Sequence, residues 1–499
     1  MTSAAAAPSP SLQLLRPATA APPNSVHLGN LEHLFRHRGQ GATAVVQPVA
    51  QKKKKAAPLL RLPSFFKRGR PSSPDPAMAA AADLSPRLFQ PSPPDGPSPR
   101  GDIAASWRRL HGEEGCWRGL LDPLHPDLRR EIVRYGEFVG AAYSAFLSNS
   151  DASPNSDLDH LAGAVPLQDA AYRVTAPLFA TSSAKLPPWL ASLAGPCAAQ
   201  RTSLVGYVAV CECPDEVRRM GRRDIVVALR GTCTVLEWAD NVRAALVPAH
   251  HKDSSSSSSS SSPAPGKVEC GFWSLYNTPA DASPETSLSS AVVSEIRKLL
   301  QKYEGEEISI TVTGHSLGAA LAVLIADELT SAVCPGGPPV AVFSFGGPRV
   351  GDGEFAARVE AQGARVLRVV NAHDVVPRCF FPGAGGRWYA DVGRELRLDS
   401  RASPYLRPDA DAACCHDLEA YIHLVDGFLG SHCPFRANAK RSILRLLQNQ
   451  GGNVKQLYIS KAMENMRHIH GLDGGAGAGD DAAAPVGSPL GRRLLECVQ

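Results

Sequence analysis

A chain of 499 residues with 43% hydrophobic content can bury a large core, and its 12 cysteines are too sparse for a disulfide-stapled scaffold. The net charge of +4 is unevenly spread: residues 1–100 hold 13 Lys/Arg against four Asp/Glu, a surplus of nine that leaves the remainder at −5. Basic character confined to the first hundred residues does not argue for nucleic acid as a partner of the folded part, and with no run of 18 apolar residues any lipid contact is peripheral.

Residues 1–70 are rich in Ala, Ser and Pro, carry scattered basic residues and have no acidic residue before Glu32. That composition, without the apolar centre of a secretory signal, predicts a disordered organelle transit peptide, and chloroplast and mitochondrial leaders share it. Lys52 to Lys55 read as solvated charge within the leader rather than as a nuclear signal. Nine prolines between Pro71 and Pro99 predict a linker over residues 71–102. One α/β domain is expected over residues 103–470, with a disordered tail at 471–499. Cys211-x-Cys213 and Cys414-Cys415 lack zinc-knuckle spacing, and most cysteines are expected to be small buried hydrophobes.

Pro126 to Leu147 reads as a helix with Leu128, Ile132, Tyr135, Val139 and Tyr143 on one face, packing on a sheet and carrying no chemical role. Asp224 to Leu229 is a continuous apolar run of the kind buried parallel strands show, and it ends at Arg230-Gly231-Thr232, where such sheets place ligands. Nine serines, Ser254 to Ser262, follow, and a disordered insertion is expected over residues 250–266. The segment from Trp238 to Gly271 is expected to form a mobile cover, with Leu246 and Val247 meeting lipid when it opens. Ordered structure resumes at Gly271 to Tyr276, and a helix through Val292, Ile296, Leu299 and Leu300 leads onward.

The alternating run Ile308 to Val312 then reads as a strand, and Leu317, Leu321, Leu324, Ile325 and Leu329 recur at helical spacing. Between them lies Gly314-His315-Ser316-Leu317-Gly318, a Gly-x-Ser-x-Gly sequence in the strand-to-helix context of a nucleophile elbow. Ser316 is the candidate nucleophile. A free hydroxyl is weakly nucleophilic at neutral pH, so the chain must supply a base, an orienting carboxylate and oxyanion donors. Two further buried strands, Val340 to Phe345 and Val366 to Val370, precede Asp374, the candidate carboxylate. His416 and His423 are the candidate bases. His416 is favoured because it comes just before a helical run from Asp417 to Phe428, whereas His423 falls mid-helix, where a structural hydrogen bond is the ordinary role. The backbone N–H groups of Leu317 and Thr232 are the candidate oxyanion donors. Alternating strands and helices predict a mostly parallel sheet.

Gly314 to Ala319, Arg230-Gly231-Thr232, Phe345 to Gly351 and the Asp374 loop resemble the class 3 lipases. Trp117 to Leu124, Arg130 to Phe146, Glu237-Trp238 and His416 to Tyr421 are similar, more narrowly, to the plant plastidic phospholipases A1, the group that contains the defective-in-anther-dehiscence lipase. The resemblance spans roughly residues 103–460 and implies an α/β-hydrolase fold with an N-terminal helical extension. It also implies hydrolysis of membrane glycerolipids at the sn-1 ester by Ser316, Asp374 and His416 without metal or cofactor. The released fatty acid is expected to feed jasmonate synthesis and flower or spikelet development, with chloroplast ahead of mitochondrion as location. Two other readings stand beside it: a neutral-lipid lipase or galactolipase with the same triad, and a lipase-like scaffold without chemistry. Oligomeric state and head-group preference are not implied, and the serine run departs from the family pattern at the expected cover.

Overall fold

Branched apolar runs build the centre of the molecule. In the computed structural model, which describes residues 101–149, 151–183, 201–232, 245–249, 266–281, 285–378, 389–410, 412–433 and 435–436, seven strands form one sheet. These are β1 (Tyr172–Thr181), β2 (Thr202–Cys211), β3 (Arg223–Leu229), β6 (Ile308–His315), β7 (Val340–Phe345), β9 (Arg365–Asn371) and β11 (Arg394–Leu398), in the order β1-β2-β3-β6-β7-β9-β11. Strands β3, β6, β7, β9 and β11 are mutually parallel, and β1 and β2 close one side antiparallel. The leader, the linker up to Arg100, the serine run and the tail expected from the sequence lie outside the described residues.

Helices cover both faces of this sheet. Alternate residues of β3 divide between two cores: Val226 and Ala228 face α1 (Pro126–Ser148) and α7 (Leu418–Gly427). Ile225, Val227 and Leu229 face α3 (Cys270–Asn277), α4 (Leu288–Lys302), α5 (Leu317–Glu328) and α6 (Gly353–Ala361), while α2 (Pro214–Met220) leads into β3. Helix α5 is buried on every side, so its hydrophobic pattern has no polar stripe. This is the α/β-hydrolase arrangement, with α1 as the helical extension.

The polar half of β6 is buried rather than solvated. Ser309 and Thr311 both donate to Asp224 at 2.9 Å, and Tyr135 and Tyr172 donate to the same carboxylate at 3.0 and 2.9 Å. Arg134 of α1 pairs with Glu131 at 2.7 Å, and Arg222 reaches Ser309 at 2.8 Å. Two arginines against two carboxylates leave no net charge, which a buried ionic cluster requires. The cluster holds α1 onto the sheet.

Within the expected cover, β4 (Leu246–Pro248) and β5 (Lys267–Glu269) join β8 (Gly351–Asp352) and β10 (Tyr389–Ala390) in a second, four-stranded sheet of order β10-β8-β5-β4. Val247, expected to meet lipid, is half-buried: it pairs with Val268, which satisfies its backbone, and it packs against the core. Leu246 pairs with Glu269 in the same ladder. Residues 238–271 are therefore two stretches separated by β4, and residues 233–244 and 250–265 lie outside the described residues. Of the eight described cysteines only Cys211 and Cys415 are buried, so the expectation of mostly buried thiols does not hold among them.

The ends of the insertion meet at one point. Ala249 N–H donates to the Gly266 carbonyl at 3.2 Å, and Arg358 donates to the Ala249 carbonyl at 3.0 Å while gripping Asp327. If the nine serines add only chain length, deleting Ser254 to Ser262 shortens a pinned loop. Stability is then expected to rise by roughly 0.7 kcal/mol from loop-closure entropy, with kcat on a soluble short-chain ester nearly unchanged. Loss of ester hydrolysis on deletion would make the serines structural.

Candidate active site

Three chain segments bring their side chains to the carboxyl ends of the parallel strands. At the end of β6 the backbone turns at Ser316 with φ 55° and ψ −121°, a left-handed conformation that a residue with a side chain adopts only under constraint. The constraint is crowding. A Cβ on Gly314 would lie 2.3 Å from the Gly318 carbonyl oxygen, and one on Gly318 would lie 2.4 Å from that of Arg230. Both glycines of the Gly-x-Ser-x-Gly sequence are thus required by backbone packed on backbone.

Asp374 follows β9 by three residues, and His416 ends a short helix (Ala412–His416) just before Asp417, which caps α7 by accepting from the N–H groups of Glu419 and Ala420. His416 Nε2 lies 2.8 Å from Ser316 Oγ, and its Nδ1 lies 2.5 Å from Asp374 Oδ2. A carboxylate accepts, so in the neutral ring Nδ1 carries the proton and Nε2 is free to accept from the serine. Asp374 is held by two more donors: Tyr421 O–H to Oδ2 at 2.6 Å and Val376 N–H to Oδ1 at 2.9 Å. Burial, and then the adjacent Asp374, push the Tyr421 phenol well above its ordinary range, so it stays a donor at every physiological pH. Ser316, His416 and Asp374 are all buried, which strengthens each of these charge-assisted contacts.

His423 sits elsewhere. It is fully buried in α7, its Nε2 lies 2.9 Å from Ser403 Oγ, and burial alone pushes its pKa down to about 3. A mid-helix ring with a hydroxyl partner and aromatic neighbours, Tyr405 and Phe435, is a packed structural residue.

The candidate oxyanion donors flank the serine from two sides. Leu317 is the first residue of α5, where helix geometry leaves N–H groups without an intrahelical acceptor. Thr232 is buried one residue past Gly231, and a Cβ on Gly231 would lie 3.0 Å from Ser316 Cβ, so this turn abuts Ser316. Arg230 clamps the turn by donating to the Gly231 carbonyl at 2.7 Å and the Leu204 carbonyl at 2.8 Å. Tyr143, Tyr421 and Arg230 shape the site, and the sequence reading gave none of the three a role there, although Arg230 and Tyr421 fall in motifs it quoted. Tyr143 carried only the signal of a buried helix face, and Tyr421 that of an apolar helix.

A serine activated by a histidine that a carboxylate orients, with backbone N–H groups beside it, can transfer acyl groups through a covalent ester. A family model described as lipase (class 3) matches residues 226–383. Phospholipase A(1) DAD1, chloroplastic, of Arabidopsis thaliana is 41% identical over 70% of this chain and 83% of its own length. Phospholipase A1-Igamma1, chloroplastic, of the same plant is 40% identical over 67% of this chain and 70% of its own. Phospholipase A1-II 6 of Oryza sativa subsp. japonica is 41% identical over 68% and 85%. With that identity across most of such relatives' length, the chain belongs to the class 3 lipase family, among its plant phospholipases A1.

Proposed function

We propose that Ser316, His416 and Asp374 are the catalytic triad of this lipid ester hydrolase and that it releases fatty acid from the sn-1 position of membrane glycerolipids. The observation that carries the reading is the unbroken hydrogen-bonded line from Ser316 Oγ through His416 to Asp374. In the proposed mechanism His416 Nε2 takes the Ser316 proton as Oγ attacks the ester carbonyl carbon. Asp374 stabilises the imidazolium that forms, and the N–H groups of Leu317 and Thr232 receive the developing oxyanion. Collapse expels the lysolipid alkoxide, which takes the proton from His416. Water, deprotonated by the same nitrogen, then hydrolyses the acyl-enzyme.

The preference for sn-1 of a phospholipid rests on the named activities of the relatives. Purified protein given vesicles of phospholipid labelled separately at sn-1 and sn-2, alongside galactolipid and triacylglycerol, is expected to release the sn-1 label first. Preferential release from triacylglycerol would replace the reading with a neutral-lipid lipase. Contact with the bilayer is proposed to be peripheral, and no described helix is long and apolar enough to cross a membrane.

The plastid is the proposed location, supported by the leader composition and by relatives named chloroplastic. The fatty acid released there would feed jasmonate synthesis and so flower or spikelet development. A fusion of residues 1–100 to a fluorescent reporter is expected to enter plastids with cleavage of the leader. A mitochondrial signal would move the enzyme to that organelle, and a cytosolic one would remove the transit-peptide reading.

A further inference from the structure

His416 and the backbone of the turn after β3 must be held in register for the proposed reaction. They come from distant parts of the chain and both adjoin Ser316. A buried hydrogen-bonded chain connects them through two side chains to which the proposed mechanism gives no role. Gly231 N–H, next to the Thr232 donor, lies 2.8 Å from Tyr143 Oη. Tyr143 Oη lies 2.8 Å from His315 Nδ1, and His315 Nε2 lies 2.7 Å from the backbone carbonyl of His416.

The direction of each bond follows from chemistry. A carbonyl only accepts, so His315 Nε2 carries a proton, and in the neutral ring Nδ1 then accepts from the Tyr143 hydroxyl. The hydroxyl oxygen in turn accepts from Gly231 N–H. Neutrality of His315 matters because its ring centroid is 4.8 Å from that of His416, which becomes a cation during the reaction, and a second cation there would oppose it. The fit is tight: a Cβ on Gly231 would come 2.4 Å from Tyr143 Oη, so the turn approaches the tyrosine as closely as backbone can. Tyr143 and His315 are both buried, and bulk water does not compete for their bonds.

We propose that Tyr143 and His315 are positioning residues, a relay that sets the oxyanion-side turn and the base relative to the serine between them. The proposal rests on the triad reading given above. His315 is the residue immediately before the nucleophile, so one peptide links the relay to Ser316. Tyr143 comes from α1, which gives the helical extension a part in the chemistry beyond covering the sheet.

Tyr143→Phe removes only the hydroxyl and is the primary test. Activity is measured on a soluble short-chain ester and divided by the number of sites that a fluorophosphonate labels at completion. The relay predicts that kcat falls by roughly 10- to 100-fold with KM changed less than about twofold, the signature of misplaced reacting groups. His315→Gln is expected to lose a similar factor, and the double variant no more than the worse single one, because both break the same chain. Site-normalised kcat in Tyr143→Phe within about twofold of wild type, with only the melting temperature lowered, would overturn the relay and leave a structural role. Losses that multiply in the double variant would also overturn it. Ser316→Ala is run beside these variants: if it stays active, the triad and the relay fall together. If it is inactive while Tyr143→Phe works at the wild-type rate, the relay alone falls.

Discussion

Ser316→Ala is expected to lower kcat by about 10⁶ on any ester substrate, while the protein remains folded. The size follows if the proposed triad acts as a unit: without Oγ the proposed acyl-enzyme cannot form, and His416, 2.8 Å away, has nothing to deprotonate at that position. Residual turnover is then expected from water attacking an ester carbonyl whose developing oxyanion the proposed N–H donors receive. Folding should survive because the elbow is held by its neighbours. Ser316 N–H donates to the Phe345 carbonyl at 3.0 Å, and Gly314 and Gly318 are packed on backbone that the substitution leaves in place. Alanine still needs the same left-handed φ, so any loss of stability is that of a buried hydroxyl, about 1 kcal/mol. A fluorophosphonate probe is expected to label wild type at this residue and to leave the variant unlabelled. Persistent labelling of Ser316→Ala would put the nucleophile elsewhere.

The parts legible from sequence are those in which one segment carries its own instruction. Gly314 to Gly318 did so because the crowding that demands the two glycines comes from the elbow itself and from the strand beside it. Strands β3 and β7 showed as nearly continuous apolar runs because both their faces are covered, and β9 is such a run interrupted by half-buried Arg368. Strands β1 and β2 were not anticipated. Edge strand β1 contains Pro177 and two register irregularities, which mask its period, and β2 carries Gly206, whose missing side chain makes room for the Ala228 carbonyl. The three-residue β4 was illegible because it pairs with β5 across the serine run.

Chemistry shared between distant segments left no local trace. Glu131 and Arg134 look like an exposed pair on a helix, and only the fold brings Asp224 and Arg222 to them as a neutral cluster. Tyr143 has the same history: its place on an apolar face of α1 was readable, whereas its hydrogen bonds to Gly231 and His315 depend on where α1 crosses the sheet.

His416→Ala and His423→Ala are expected to separate chemistry from stability. His416→Ala should cost about as much as Ser316→Ala, near 10⁶ in kcat, because it removes both the acceptor of the serine proton and the donor to the leaving group. Its melting temperature should change little at neutral pH by comparison. His423→Ala should keep kcat per folded molecule and lose about 1–3 kcal/mol of stability, since it empties a buried site packed against Tyr405 and Phe435. The pH dependence adds a second signature. With its folded pKa pushed down to about 3, His423 stays neutral in the native state while the unfolded chain binds a proton below about 6.5. Its contribution is therefore complete above that pH and is lost as pH falls toward 3, at up to about 1.4 kcal/mol per unit. Wild type should lose stability over this window more steeply than His423→Ala, so denaturant midpoints for the two converge on acidification. A stable but inactive His423→Ala beside an active His416→Ala would transfer the role of base to His423.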